Sequence, residues 1–470
     1  MVAVNDNSMP KWCSVKLSQV ISRGKRLEAS VFDVDALRAW ETARNGKYPA
    51  KNLIGNGCLV ERAYYGGRLK RNYVAKTNKN AIGFIGSSEM LDMNPHPVKF
   101  MLNDSRVNEV RVKEGQVLIS RSGTIGNLTY VGKTLSKYLV SEHAIRLDCP
   151  SYPGYVYAYL KSDIGQLLIH SNTFGAVIPE VEPEHLASIP VPDAPYNIKA
   201  KIDSLIKKSF SLRDEANSLN ERASATLISE LHLPTIEELS SKESCNSFQI
   251  KLSDMNGRLD GSYHIPIVNR ILKCLRENAA EVTTIGDSRI SSEVILPGRF
   301  KRIYVNPGFG QVFIGGKQIW ELDPANKKYL SIARHKERIA HQLTLHKNMV
   351  LITCSGTIGK VALVGKQWEN WTANQHIIRV VPSTPDIAGY LSIYLATDYG
   401  RALIVRNTYG SVVDEIDDHQ VRQVAVPLLK DCKIQDQINE LALEANRKSY
   451  EAYQLEQEAL QLMNEKVIYA

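Results

Sequence analysis

The sequence predicts a mixed α/β chain, α+β in its strand arrangement, built as two tandem copies of one body, each followed by a long helix. Three observations predict this. Residues 117–126, VLISRSGTIG, return as VLITCSGTIG over residues 350–359. Two stretches repeat apolar or small residues by three and four over several heptads. Between them, short β-branched runs sit among Gly, Asn and Pro turns. The chain has 470 residues, which at roughly 150 residues per domain allows about three domains. With 43% hydrophobic and 23% charged residues it is ordinary globular material, which excludes disordered, collagen-like and disulfide-stapled classes.

In chain order, the opening MVAVNDNSMPKW lacks a basic segment and an apolar core, so no secretory signal is expected. No run of about 18 apolar residues is present, so no membrane span is expected. The bodies, roughly 12–193 and 246–430, carry β-runs at 116–120, 349–353 and 377–381. Short helices are expected at 34–44, 155–170 and 387–405. The repeat keeps its order over the whole length. At an offset of 233, Val131-Gly132-Lys133 faces Val364-Gly365-Lys366, and His143 and Arg146 face His376 and Arg379. At an offset of 235, Tyr159-Leu160 matches Tyr394-Leu395, Gly165 matches Gly400, and Asn172–Gly175 matches Asn407–Gly410. Upstream, Arg26-Leu27-Glu28-Ala29-Ser30 resembles Arg258-Leu259-Asp260-Gly261-Ser262. Phe84-Ile85-Gly86 resembles Phe313-Ile314-Gly315.

The first long helix is expected over 195–232. Its seam is Ile202, Leu205, Ser209, Leu212, Ala216, Leu219, Ala223 and Thr226, with Pro195 and Pro234 as boundaries. The second is expected over 433–468, with the seam Ile434, Ile438, Leu441, Ala445, Lys448, Ala452, Leu455, Ala459 and Leu462. Small seam residues favour close pairing of the two helices; the alternative is that each packs on its own body. The expected division is 1–193, a first helix at 195–232, a polar linker at 233–246, 247–430, and a second helix at 433–468.

Lys and Arg number 58 against 50 Asp and Glu, a net charge of +8. The first helix is near neutral and the second acidic, so the excess positive charge lies on the bodies. That permits a polyanionic partner. The seven cysteines are scattered, with no CxxC pair, which suits reduced thiols in a cytoplasm and gives no zinc framework.

The motifs of catalysis are absent. Gly126…Gly132-Lys133-Thr134 has one residue too many for a phosphate-cradling loop and reads as a strand-end turn. Gly308-Phe309-Gly310 lacks a third spaced glycine. Asn94-Pro95-His96-Pro97 has no glycine-rich cofactor motif upstream, and no HExxH or GxSxG is formed. His143 and His376 read as buried hydrogen-bonding residues, or alternatively as residues of a nucleic-acid surface.

Two matched features suit DNA. The Ser-Gly-Thr-Ile-Gly loops offer hydroxyls and amides to phosphate oxygens, through Ser122 and Thr124 in the first body and Ser355, Thr357 and Lys360 in the second. The same glycines also suit a tight turn at positive φ. The clusters Arg68-x-Lys70-Arg71-x-Tyr73 and Arg299-x-Lys301-Arg302-x-Tyr304 pair cations with an aromatic. On a strand, Arg68 and Lys70 share one face, fit to follow a backbone or reach guanine. A solvated charged face is the other reading. Arg334-His335-Lys336-x-Arg338 adds charge to the second body only, and Arg121, expected to meet DNA beside Ser122 and Thr124, is replaced by Cys354 at its matched position, as two bodies reading different sequences should show.

Two variable bodies, each with an Arg-Leu-acidic opening, an SGTIG turn and a following long helix, resemble the specificity (S) subunits of Type I restriction-modification systems. The first opening, over residues 26–32, lacks the tyrosine that Tyr263 supplies in the second. The resemblance implies two target recognition domains and an antiparallel coiled coil between them. It also implies a non-catalytic, cytoplasmic subunit without a cofactor of its own. The implied partners are double-stranded DNA, two methyltransferase subunits and translocase/nuclease subunits; those subunits would use S-adenosylmethionine, ATP and Mg²⁺. A helix of about 32 residues is about 48 Å long, so the expected target is asymmetric and bipartite, one half per lobe. Two alternatives stay open: a stand-alone duplicated DNA-binding protein of another defence or mobile-element system, and an enzyme with an unrecognised site.

Overall fold

The computed structural model describes residues 14–470 apart from 23–24, 26, 28, 69, 176–178, 241–246, 256 and 411–412. Residues Arg26 and Glu28 of the first opening and part of the 233–246 linker therefore lie outside the described residues. Two compact units form. One holds residues 1–214 and 454–470, the other 215–453. Each contains one lobe and a portion of both long helices, so the units cut across the sequential division.

The two lobes repeat one sheet plan. In the first, an antiparallel sheet runs in the order Arg62–Tyr64, Ala144–Asp148, Val117–Ser120, Leu128–Tyr130. In the second the order is Ser291–Ile295, Ile377–Pro382, Val350–Thr353, Val361–Leu363. The central strands are continuous apolar runs, VLIS and VLIT, buried along their whole length; they are covered on both faces, as such runs require. A second sheet adds a parallel strand beside an antiparallel pair. In the first lobe Ala81–Ile85 pairs with Lys99–Leu102 and with Leu139–Val140. In the second Gly310–Ile314 pairs with Lys328–Ser331 and with Thr372–Ala373.

The two sheets of a lobe are joined by a buried arginine. Arg146 and Arg379 are 0% exposed. Arg146 donates to the carbonyls of Val140 (2.5 Å), Ala144 (2.9 Å) and Val110 (3.0 Å). Arg379 donates to those of Ala373, Ile377 (2.7 Å) and Leu343 (3.5 Å). Burial depresses both guanidinium groups, Arg146 to about 10 and Arg379 to about 9.

The helices expected at 155–170 and 387–405 are each two helices: Pro153–Lys161 with Asp163–Ser171, and Pro385–Ala396 with Asp398–Val405. Ser162 and Thr397 break them in extended conformation and cap the following helix at Gly165 N and Gly400 N. The matched glycines are explained here: a Cβ at either would lie 2.2 Å from Tyr159 O or 2.4 Å from Tyr394 O. Periodicity runs through such a break because the next helix continues the apolar pattern.

The long helices are Tyr196–Glu230 and Cys432–Met463. They pair antiparallel. Lys201 meets Glu458 and Arg213 meets Glu456 in one unit, and Lys448 meets Glu215 at 2.7 Å in the other. Pairing and packing on the lobes both occur. Ile206 and Phe210, beside the expected seam, enter the first lobe's core together with Ala459, Met463, Val467 and Ile468. Leu227, Leu231, Ile438 and Ala442 enter the second. Polar residues of the helices also cap lobe helices: Asp203 accepts from Gly154 N and Asn439 from Gly389 N, both at 2.8 Å.

Glu456 is fully buried between Lys161 (2.6 Å), Tyr157 Oη (2.6 Å) and Arg213. Burial alone would raise its pKa, but Lys161 and Arg213 outweigh burial and hold the carboxyl at about 2. A carboxylate depressed below its unfolded value contributes stability above about pH 4.5 that is lost as pH falls toward 2. Glu456→Gln should cost about 3–5 kcal/mol at neutral pH by removing the carboxylate that Lys161 and Arg213 both meet. The gap between wild type and variant should close as pH falls from 4.5 to 2, read by thermal melts across pH. Arg146→Met and Arg379→Met should each cost about 3 kcal/mol or more, since several buried carbonyls lose their donor; denaturant melts check this.

Candidate nucleic-acid interface

The SGTIG loops leave the ends of the two central strands. Gly123 and Gly126 have φ of +76° and +83°, Gly356 and Gly359 of +75° and +79°, so the turn does require glycine. Gly126 N bonds to Ser120 O and Gly359 N to Thr353 O, closing each loop on its strand. Ile125 and Ile358 anchor the loops inward at 7% and 6% exposure. What remains outside is Gly123-Thr124 in one lobe and Gly356-Thr357 in the other. Ser122 and Ser355 bridge to Glu180 and Glu415. Lys360 is half-buried, its ammonium 4.1 Å from the Trp320 ring centroid.

The basic segments are irregular chain where a strand was expected. Only Tyr73–Val74 is strand, and Tyr304 makes a single bridge to Leu330. Arg68, Lys70, Arg299 and Lys301 therefore share no strand face. Close packing of Gly66 on Glu109 and Val110, and Asn72 N bonding back to Lys70 O, draw the first segment away from the sheet. All four side chains are exposed.

Beyond them the two lobes build the same cluster. In the first, Arg71 lies 5.3 Å over the Phe84 ring, Tyr73 stands 6.4 Å from Phe84, and Lys99 lies 5.5 Å over Tyr73. In the second, Arg302 lies 5.8 Å over Phe313, Tyr304 stands 6.0 Å from Phe313, and Lys328 lies 5.3 Å over Tyr304. Sheet register produces this, because Phe84 is paired with Lys99 and Phe313 with Lys328. Cross-strand and diagonal neighbours on one face meet. Tyr73 and Tyr304 are 45% and 42% exposed. Each lobe thus offers an open aromatic ring flanked by two cations over a buried phenylalanine. Lys99 and Lys328 were not singled out in the sequence, although each follows its matched phenylalanine by fifteen residues.

Arg121 is not an outward cation. Its guanidinium side chain is 12% exposed, pairs with Glu180 at 2.8 Å and with Glu182, and lies 4.2 Å over Tyr65. It fixes the chain three residues before Arg68. In the second lobe, with Cys354 at the matched position, His335 and Arg338 hold the segment instead. Arg338 donates to Gly298 O and lies 4.9 Å over Phe300, and His335 accepts from Ile303 N. Arg334 and Lys336 stay exposed.

His143 and His376 are half-buried at the root of the loops, not sealed in the core. The His143 Nδ1 and Ser122 Oγ atoms are 2.7 Å apart. Burial, then Arg302, lowers the pKa of His376. The Cys354 thiol beside it is pushed up to about 12 by burial. At the turn that falls short of a phosphate-binding loop, Lys133 N and Thr134 N are taken by the Asp214 carboxylate at 2.8 Å each. No group of three or more metal-ligating side chains occurs among the described residues, and no helix among them is long and apolar enough to cross a membrane.

Residues 306–442 match the Type I restriction modification DNA specificity domain. Solved structures that it resembles include the S subunit of a Type I restriction-modification system from M. genitalium, at 12% identity, 90% of this chain, 96% of that chain and a TM-score of 0.35. Another is the HsdS subunit from Thermoanaerobacter tengcongensis, at 14% identity, 84% and 93% coverage and a TM-score of 0.27. No curated protein matches. The matched domain covers much of the second lobe, and the first lobe repeats that lobe's sheets, loop and cluster.

Proposed function

We propose that the chain reads an asymmetric, bipartite DNA target, one half with each lobe, for a Type I restriction-modification complex in the cytoplasm. The observation that carries this is the doubled cluster: Tyr73 and Lys99 in one lobe, Tyr304 and Lys328 in the other, with an exposed threonine loop in each lobe. Cations and hydroxyls of this kind fix a protein on the phosphate backbone, and aromatic or arginine tips read or unstack bases. The lobes share their scaffold and differ around the cluster, so their half-sites differ. The paired helices set the number of unread base pairs between the halves. Two methyltransferase subunits dock on this chain, translocase/nuclease subunits join them, and those partners use S-adenosylmethionine, ATP and Mg²⁺.

The deciding experiment expresses the chain with its neighbouring methyltransferase and maps the methylated motif in the cells. A two-part asymmetric motif is expected; a single uninterrupted motif would sink the reading. Inserting one heptad into each long helix should lengthen the gap and leave both halves as they were. A chain that binds duplex tightly but never co-purifies with a methyltransferase would favour the stand-alone DNA-binding protein. Lys99→Gln and Lys328→Gln should each weaken binding and lower the slope of log K against log salt by about 0.9, measured by fluorescence titration.

A further inference from the structure

The matched arginine pairs, Arg68/Arg71 and Arg299/Arg302, are neutralised in opposite ways. In the first lobe the inner arginine is held: Arg71 donates to Glu142 at 2.7 Å. Arg68 is exposed and has no carboxylate partner among the described residues. The glutamate that lies near this loop, Glu180, is already taken by Arg121. In the second lobe the outer arginine is held, with Arg299 on Glu415 at 3.1 Å. Arg302 has no carboxylate partner among the described residues, and its Nε is buried without an acceptor.

Two exchanges at matched positions produce the reversal. Glu142 becomes Gln375, which removes the inner carboxylate. Arg121 becomes Cys354, which leaves Glu415, the counterpart of Glu180, to the outer arginine. Each lobe therefore keeps one neutralised and one unneutralised arginine, and the unneutralised one changes place.

We propose that the lobes meet DNA phosphates through different members of the pair, Arg68 in the first and Arg302 in the second, with Glu142 and Glu415 as the selecting counter-charges. The inference rests on the DNA-reading function above. An arginine already paired with a carboxylate displaces no counterion from DNA on its own account; an unpaired one does, at about 0.9 in the salt slope per phosphate.

The test uses the full chain and a mixed-sequence duplex, titrated between 50 and 200 mM salt. Arg68→Gln and Arg302→Gln should each lower the slope by about 0.9, which is about 3.5-fold less loss of affinity across that range. Arg71→Gln and Arg299→Gln should leave the slope close to wild type. Glu415→Gln should steepen it by about one contact, and the steepening should vanish in the Arg299→Gln/Glu415→Gln double variant. Glu180→Gln removes the same charge but leaves Arg121 on Glu182, so it should add no contact. Arg302→Lys keeps the charge and guards against loss of fold, and it should retain the slope. Equal slope losses for all four arginines, or equal gains for Glu180→Gln and Glu415→Gln, would overturn the proposal. So would a sequence-dependent loss in Arg68→Gln or Arg302→Gln at unchanged slope, which marks a base contact. Failure of the wild-type chain to bind duplex at all would instead strike the DNA reading, and is seen before any variant is compared.

Discussion

In each lobe a fully buried guanidinium joins two sheets that share no strand, and it does so with backbone carbonyls alone. Arg146 spans from its own strand to Val140 of the second sheet, and Arg379 likewise to Ala373. An isolated charge of this kind is costly to bury, and here the depressed pKa of both groups records the cost. What offsets it is the convergence of three or more carbonyl dipoles on a rigid fork of donors. The outward features hang from that joint. The SGTIG loops extend the strand beside it, and the aromatic–cation clusters lie on the sheet it secures. Small shifts there would move loop and cluster relative to each other in both lobes.

A basic cluster read from sequence counts every arginine alike, but the fold spends several of them internally. Arg121 steadies Tyr65 and two glutamates, Arg338 and His335 brace the second basic segment, and Arg213 meets Glu456. Only what is left faces solvent. A net charge of +8 thus understates how selectively the positive surface is placed.

Much of the architecture was legible because duplication writes the same signal twice. The VLIS and VLIT strands, the glycines of the loops and the two long helices were all readable from order and spacing. The breaks at Ser162 and Thr397 were not, since a capped junction leaves the apolar period intact. Nor was the irregular course of residues 65–68 and 70–72, where Gly66 packs against Glu109 and Val110 and overrides the alternation of side chains. At the site, the arginines and tyrosines were visible as a motif. Lys99 and Lys328 were not, because strand register brings them to the ring from a distant part of the chain. Helix burial was half seen: the seam was marked, while Ile206 and Phe210 on the neighbouring flank serve the lobe core.

The first lobe's core is completed by Ala459, Met463, Val467 and Ile468, and its charge cluster by Glu456. During synthesis, then, the amino-terminal lobe emerges from the ribosome long before the side chains that finish it. Its early form carries an apolar face not yet covered by the second helix, and Tyr157, Lys161 and Arg213 have not yet met Glu456. The second lobe, whose core draws on both helices only up to Ala442, has all its pieces first. Completion of the two lobes therefore runs against the direction of translation.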